Sequence, residues 1–119
     1  MINVKRLQNV YFTADDVPST ASFYEQVFGL KKKFSDGDRW TQFDIAGSNF
    51  AIGAHEEGVH EQTGAVPVFE VDDIDGLEQL VHEHGGTVIA HRDMGDHGLV
   101  TTLQDPAGNS IQLFSRKGS

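Results

Sequence analysis

The histidines of this sequence are the first side chains to weigh for chemistry, because imidazole binds divalent metals and exchanges protons near neutral pH. They form three pairs: His55 and His60, His82 and His84, His91 and His97. The first pair lies in a polar segment without periodicity. The second pair is two residues apart on a helical stretch and so points to different faces. The third pair bounds a turn with Asp93 and Asp96, and we keep it as an alternative, atypical metal site.

Glu70 is the acidic residue whose neighbours in the sequence give it a chemical role. Side chains alternate along a strand, so Glu70 shares a face with Val66 and Val68. A carboxylate among apolar side chains can serve as a general base. If the protein is an enzyme, which is our alternative hypothesis, Glu70 is the candidate catalytic residue. Tyr11 or His97 is then the candidate for a second acid/base group.

Composition excludes several classes of function. The 119 residues fit one domain and include no cysteine, so neither disulfides nor thiolate chemistry is possible. Asp and Glu number 18 against 9 Lys and Arg, and this net charge of -9 repels nucleic acid. No apolar run approaches the roughly 20 residues of a membrane span. We expect a soluble, cytoplasmic protein with no nucleic-acid or membrane partner.

The chain contains an internal repeat that sets its architecture. Phe12-Thr-Ala-Asp-Asp-Val17 and Phe69-Glu-Val-Asp-Asp-Ile74 are variants of one phrase, 57 residues apart. The same offset relates Gly29 to Gly86, each of which follows a helical stretch. Two equivalent halves are therefore predicted, module one over about 5–54 and module two over about 65–116, joined by a linker over 55–64.

Each half is predicted to begin with a short strand and continue into a helix. The first helix spans Val17–Phe28, with Asp16 as its N-cap and Gly29 as its end. The second has Asp73 as the cap candidate and ends near His84. The remaining strands are predicted at 31–34, 40–45, 49–53, 87–91, 99–104 and 110–115. The pattern predicts an α+β fold made of two βαβββ modules.

The order of these motifs resembles the vicinal oxygen chelate superfamily, which includes glyoxalase I, bleomycin-resistance proteins and extradiol dioxygenases. The resemblance rests on the two Asp-Asp strands, on Phe23-Tyr24 and Val27-Phe28-Gly29-Leu30 in the first helix, and on Asp105-Pro-Ala-Gly-Asn109 before the last strand. It implies an open, barrel-like curved sheet around a pocket, with the helices outside. It also implies four inward metal ligands in the metal-dependent members, usually His, Glu or Gln.

The sequence departs from the resemblance at those four positions. Eight residues before Val17 and Ile74 stand Asn9 and Val66, where metal enzymes often have His. On the last strands of the two halves stand Ala51 and Gln112. Valine and alanine carry no donor atom, so we expect neither a superfamily-type metal site nor any cofactor. The protein is closest in character to metal-free bleomycin-resistance-like members.

Strand alternation predicts which side chains line the pocket. If Val10 and Phe12 face the helix, the neighbouring positions face the pocket. The predicted ligand-binding residues are Asn9, Tyr11, Thr13, Trp40, Gln42, Asp44, Ala51, Val66, Val68, Glu70, Ser110, Gln112 and Phe114. This lining combines aromatic surface with amides and carboxylates, which suits a flat or cationic molecule.

These features predict a protein that binds or sequesters a small aromatic or cationic compound without a metal ion. The alternatives are an enzyme of lyase, isomerase or dioxygenase type, using Glu70 or an atypical metal site, and an accessory domain whose pocket is filled by its own side chains. Unpaired sheet edges invite association, so we expect a homodimer. Each pocket is then predicted to combine the first half of one chain with the second half of the other.

Overall fold

The computed structural model of the chain describes residue 3 and residues 5–58 and 65–116, without the side chain of His97. The predicted linker residues 59–64, including His60, lie outside this part of the chain. The chain divides into two compact units, Met1–His60 and Glu61–Ser119. That both units belong to one domain stays a prediction.

The first unit is one βαβββ module. Its elements are β1 (Val10–Ala14), α1 (Val17–Phe28), β2 (Lys31–Asp36), β3 (Trp40–Ile45) and β4 (Ser48–Ala54), followed by a 3₁₀ turn, His55–Glu57. The strands form a four-stranded sheet in the order β1-β4-β3-β2. Strand β1 runs parallel to β4, and the other pairs are antiparallel.

The second unit repeats this topology. Its elements are β5 (Val68–Glu70), α2 (Leu77–Glu83), β6 (Thr87–Asp93), a 3₁₀ turn (Gly95–His97), β7 (Leu99–Gln104) and β8 (Ser110–Ser115). The sheet order is β5-β8-β7-β6, again with one parallel pair. The predicted α+β class is thus confirmed as two mixed four-stranded sheets, each with a helix. The barrel-like curvature stays a prediction.

Helix α1 has the predicted bounds, and local chemistry explains both ends. The Asp16 carboxylate accepts a hydrogen bond from the Ser19 amide at 3.1 Å, which satisfies a free donor of the first turn. At the other end Gly29 adopts the left-handed conformation, with φ of 64°. Between them Phe23 and Tyr24 are buried, and Tyr24 packs on Phe50 of β4. The helix therefore covers one face of the first sheet.

The second helix begins later than the sequence pattern predicts. The Asp73 carboxylate accepts from the Asp75 amide at 3.1 Å and forms a tight turn, so it does not cap the helix. The N-cap position belongs to Gly76, with φ of 74° and no side-chain cap bond. Asp73 as an N-cap is therefore wrong, because a local turn competes for the same carboxylate.

One of the two edge strands of each sheet carries a register shift. In β2 the shift lies between Lys32 and Phe34, and in β6 it lies between Val88 and Ala90. Both strands continue past their predicted ends, β2 to Asp36 and β6 to Asp93. No helix in the described part of the chain is long and apolar enough to cross a membrane.

Candidate functional site

The first sheet carries an aromatic and amide cluster on the face opposite α1. We call this the helix-distal face. Strand pairing places Tyr11 and Gln42 on either side of Ala51. The rings of Tyr11 and Trp40 lie 5.1 Å apart between centroids, and the indole Nε1 donates to Gln42 Oε1 at 3.2 Å. Four of the predicted ligand-binding residues therefore form one group.

Gly53 determines how the indole lies on this face. Trp40 and Gly53 are cross-strand partners, and a β-carbon built on Gly53 would stand 2.7 Å from Cε3 and 2.8 Å from Cζ3 of the ring. These distances are shorter than any ordinary carbon contact. The indole can thus lie against strand β4 only because residue 53 has no side chain.

A hydrogen bond connects the 3₁₀ turn His55–Glu57 to the aromatic and amide cluster. The Tyr11 hydroxyl donates to the Glu57 carbonyl oxygen at 2.8 Å. The Glu57 carboxylate in turn accepts from Arg39 Nη2 at 3.0 Å. The hydrogen bond and charge of Glu57, with a smaller contribution from Asp36, raise the pKa of Arg39. The start of the predicted linker therefore belongs to the first unit.

A cleft of about 300 Å³ opens beside the indole. We call it the edge cleft, and its lining residues are Phe34, Asp36, Arg39, Trp40 and Glu57. Only Trp40 among them was predicted from the sequence. Phe34 and Asp36 could have been found by extending the β2–β3 hairpin register, which pairs Asp36 with Trp40 and Phe34 with Gln42. Cross-strand partners point to the same face of a sheet.

A second, polar cleft of about 270 Å³ lies at the end of strands β1 and β4. His55 Nε2 stands 2.6 Å from Asp15 Oδ1 within it, and Arg39 forms part of both clefts. The Asp15 side chain is 95% exposed, so this pair is a surface contact of small energy.

Three other predicted residues of the first unit lie outside the aromatic cluster. Asp44 is exposed at the far end of β3, where its carboxylate accepts from the Gly47 amide at 3.1 Å and shapes the β3–β4 turn. Thr13 lies beside Gly53 on β1, and a β-carbon on Gly58 would meet its methyl group. Asn9 stands just before β1 and is half-buried.

The predicted residues of the second unit share the corresponding face of its own sheet. Register pairs Val68 with Gln112 and Glu70 with Phe114. Ile111 and Leu113 are buried on the other face, whereas Ser110, Gln112 and Phe114 are half-buried, as strand alternation predicts. Val66 precedes β5 and is 47% exposed.

Glu70 lies in polar rather than apolar surroundings. Its side chain is 64% exposed, and its carboxylate stands 3.4 Å from Arg116 Nε. The guanidinium of Arg116 also lies over the ring of Phe114, 5.4 Å from the centroid. A general base at Glu70 depends on shielding of its carboxylate from water, and this carboxylate is largely exposed. Its catalytic role stays a prediction, and we build no function on it.

The positions that hold metal in other members can be compared directly between the two sheets. In the first sheet Ala51 is the strand partner of Tyr11, and in the second sheet Gln112 is the strand partner of Val68. Tyr11 and Val68 are 57 residues apart, which is the offset of the internal repeat. Ala51 and Gln112 are therefore structural equivalents. Ala51 is fully buried and has no donor, while the Gln112 amide donates to Thr102 Oγ1 at 3.2 Å. These residues do not fit a divalent metal, which needs several imidazole or carboxylate ligands.

The predicted atypical metal site includes His97, whose side chain lies outside the described part of the structure, so that site stays a prediction. His91 bridges Thr101 and Glu78, with its ring nitrogens 3.0 Å and 2.9 Å from their oxygens. The Asp93 carboxylate accepts from the Gly95 amide at 2.8 Å. Within residues 5–58 and 65–116, His97's side chain apart, no three His, Asp or Glu residues stand close enough to hold a metal ion.

Two βαβββ modules with equivalent central strands define the class of protein. The chain belongs to the glyoxalase-like domain family, whose model matches residues 9–114. This places it in the glyoxalase/bleomycin resistance/dioxygenase superfamily. A comparison with curated proteins found no match.

Solved structures share the fold at low sequence identity. A glyoxalase/bleomycin resistance protein/dioxygenase family enzyme from Burkholderia phytofirmans is 23% identical, with a TM-score of 0.78 over 92% of this chain and 97% of that one. A fosfomycin resistance protein from Listeria monocytogenes, solved with Mn(II) and dihydroxypropylphosphonic acid, is 18% identical, with a TM-score of 0.75 over 98% and 94%. A lactoylglutathione lyase from Agrobacterium tumefaciens is 17% identical, with a TM-score of 0.71 over 94% of each.

Proposed function

We propose that this protein binds a small aromatic or cationic compound on the helix-distal face of its first sheet, without a metal ion. The observation that carries the proposal is the Tyr11–Trp40 pair, with 5.1 Å between ring centroids, beside the Gln42 amide. Half-buried aromatic rings near carboxylates offer stacking surface and negative charge together.

The metal-independent part of the proposal is supported by donor chemistry. The metal-dependent enzymes of the superfamily place ligands at positions that correspond to Asn9, Ala51, Val66 and Gln112. Two of these have no donor atom, and the Gln112 amide already has a partner. We therefore propose a place near the metal-free, bleomycin-resistance-like members, with binding or sequestration rather than turnover.

Fluorescence titration tests binding directly, because Trp40 is the only tryptophan. We expect saturable changes in its emission with members of a panel of aromatic amines, quaternary ammonium compounds and neutral aromatics. Trp40→Phe should abolish the signal and weaken binding measured by calorimetry. No response to any member of the panel, by either method, would refute the proposal.

Metal analysis tests the proposal that binding does not require a metal ion. Protein purified without chelator should contain far less than one equivalent of divalent metal. Adding Mn(II) or Zn(II) should leave the titration with the best ligand of the panel unchanged. One tightly held equivalent per chain, whose removal abolishes binding, would show that the site is metal-dependent.

We also propose that the protein acts as a homodimer. Each sheet ends in two edge strands, β1 and β2 in the first and β5 and β6 in the second. Edge strands carry backbone donors and acceptors that pair readily with another chain. Association of two copies is a common means of covering such edges.

A further inference from the structure

The centre of the helix-distal face is closed to a ligand. Ala51 is fully buried and Gln42 is only 7% exposed. The indole of Trp40 lies over Gly53, and Tyr11 stands beside it. Ala51, which stands at a ligand position of the metal-dependent members, is therefore covered and offers no surface to a ligand. Free space on the same face begins on the other side of the indole, toward strand β2.

The edge cleft is that space, and its walls are of two kinds. Phe34 and Trp40 provide apolar ring surface, and Phe34 is 49% exposed. Asp36 is the cross-strand partner of Trp40, so its carboxylate belongs to the same face as the indole. Glu57 and Arg39 also line the cleft and form an ion pair with each other. A volume of about 300 Å³ suits a small organic molecule rather than a bare ion.

The charges in the cleft do not cancel. Arg39 is the one cation among the lining residues in the described part of the chain, and its guanidinium is held by the Glu57 carboxylate at 3.0 Å. Asp36 also acts on Arg39, but less strongly than Glu57 does, and the two carboxylates against one guanidinium give the lining a net charge of about one negative. An indole face attracts cations as well, and a carboxylate beside it adds to the attraction.

We propose that the edge cleft is the binding site of this protein, and that it selects small organic cations with an apolar body. The cationic group lies between the indole of Trp40 and the carboxylate of Asp36, and the apolar body lies against Phe34. This inference rests on the proposed function and specifies both the place and the chemical class of the ligand. It places the ligand beside Trp40, in a cleft whose lining does not include Ala51.

Three compounds of one shape separate the charge requirement from general aromatic binding: benzyltrimethylammonium, its neutral counterpart neopentylbenzene, and the anion phenylmethanesulfonate. We expect the cation to bind most tightly in Trp40 fluorescence titrations, by roughly fivefold or more over the neutral compound. Asp36→Asn should weaken the cation about fivefold and leave the neutral compound unchanged. Phe34→Ala should weaken both.

Glu25→Gln is the matched control, because it removes one negative charge from α1, on the opposite face of the same sheet. It should leave all three affinities unchanged. The place of binding is read by nuclear Overhauser effects, which we expect from the trimethylammonium protons to the Phe34 and Trp40 rings. Effects to the Tyr11 ring without effects to Phe34 would overturn the assigned place.

Other outcomes separate this inference from the proposed function. If neopentylbenzene binds as tightly as the cation and Asp36→Asn changes nothing, the cation preference is wrong while the proposed function stands. If the sulfonate binds best, Arg39 governs recognition and the inference is overturned. If neither these compounds nor the wider panel bind, the proposed function itself fails.

Discussion

The six-membered ring of the Trp40 indole lies over the α-carbon of Gly53, where a β-carbon would be 2.7 Å from Cε3. Residue 53 lies within strand β4 and its φ is not in the left-handed region, so alanine there meets no backbone strain. We expect Gly53→Ala to displace the indole, shift its emission and lower the free energy of unfolding by about 1–3 kcal/mol.

A double-mutant cycle checks the cause of that loss. If the collision with the indole is responsible, Gly53→Ala should cost little in a Trp40→Ala background. Urea denaturation of the four proteins gives the coupling energy. Additive losses would show that Gly53 is required for some other reason.

The N-cap of α1 should contribute measurably to stability. Asp16→Ala removes the acceptor of the Ser19 amide and should lower the free energy of unfolding by about 1 kcal/mol. Asp15→Ala is the adjacent control, because Asp15 makes only an exposed contact with His55 and should cost less than about 0.5 kcal/mol. Asp73→Ala should also cost less than Asp16→Ala. Equal losses at Asp16 and Asp73 would contradict their different roles.

The turn between β7 and β8 depends on a buried carboxylate. Asp105 is 3% exposed and accepts from the amides of Ala107 and Asn109, each at 2.9 Å, and from the Asn109 side chain at 3.1 Å. Asp105→Ala removes the shared acceptor of these three hydrogen bonds and should cost roughly 3 kcal/mol. Asp44→Ala, at the exposed turn between β3 and β4, should cost under about 1 kcal/mol in the same denaturation assay. A smaller loss at Asp105 than at Asp44 would refute this account.

The oligomeric state is a separate prediction. Light scattering at micromolar concentration should give twice the 13.1 kDa mass of the chain. The mass of one chain would refute the proposed homodimer. Binding of the cationic probe by such a monomer would show that the edge cleft functions without a partner.

Much of the fold could be predicted from the sequence because the signals were local and repeated. Helix α1 has a cap, a proline in its first turn, an apolar stripe and a terminal glycine, and its bounds are as predicted. Strands β3, β7 and β8 also have their predicted bounds, since turn residues mark both ends. The predicted start of α2 was wrong because an aspartate such as Asp73 can form either a helix cap or a turn, and its residue type does not decide between them.

The candidate site was predictable only in part. Alternation placed Tyr11, Trp40 and Gln42 on one face, and the structure brings them together. Alternation did not identify Asp36 or Glu57. The position of Asp36 depends on the β2–β3 register, and that of Glu57 depends on a 3₁₀ turn that the polar sequence after β4 does not predict. The order in which strands lie across the sheet is a tertiary property, and no local pattern specifies it.

The register shifts at Lys33 and Ile89 have a consequence for colloidal behaviour. A bulge twists an outer strand and breaks the even row of backbone groups that a growing cross-β fibril needs. Strand β2 also carries three consecutive lysines, Lys31 to Lys33, which repel a second copy of the same edge. Strands β2 and β6 are thereby poor templates for fibril growth, so we expect that concentrated protein does not extend amyloid from these two edges.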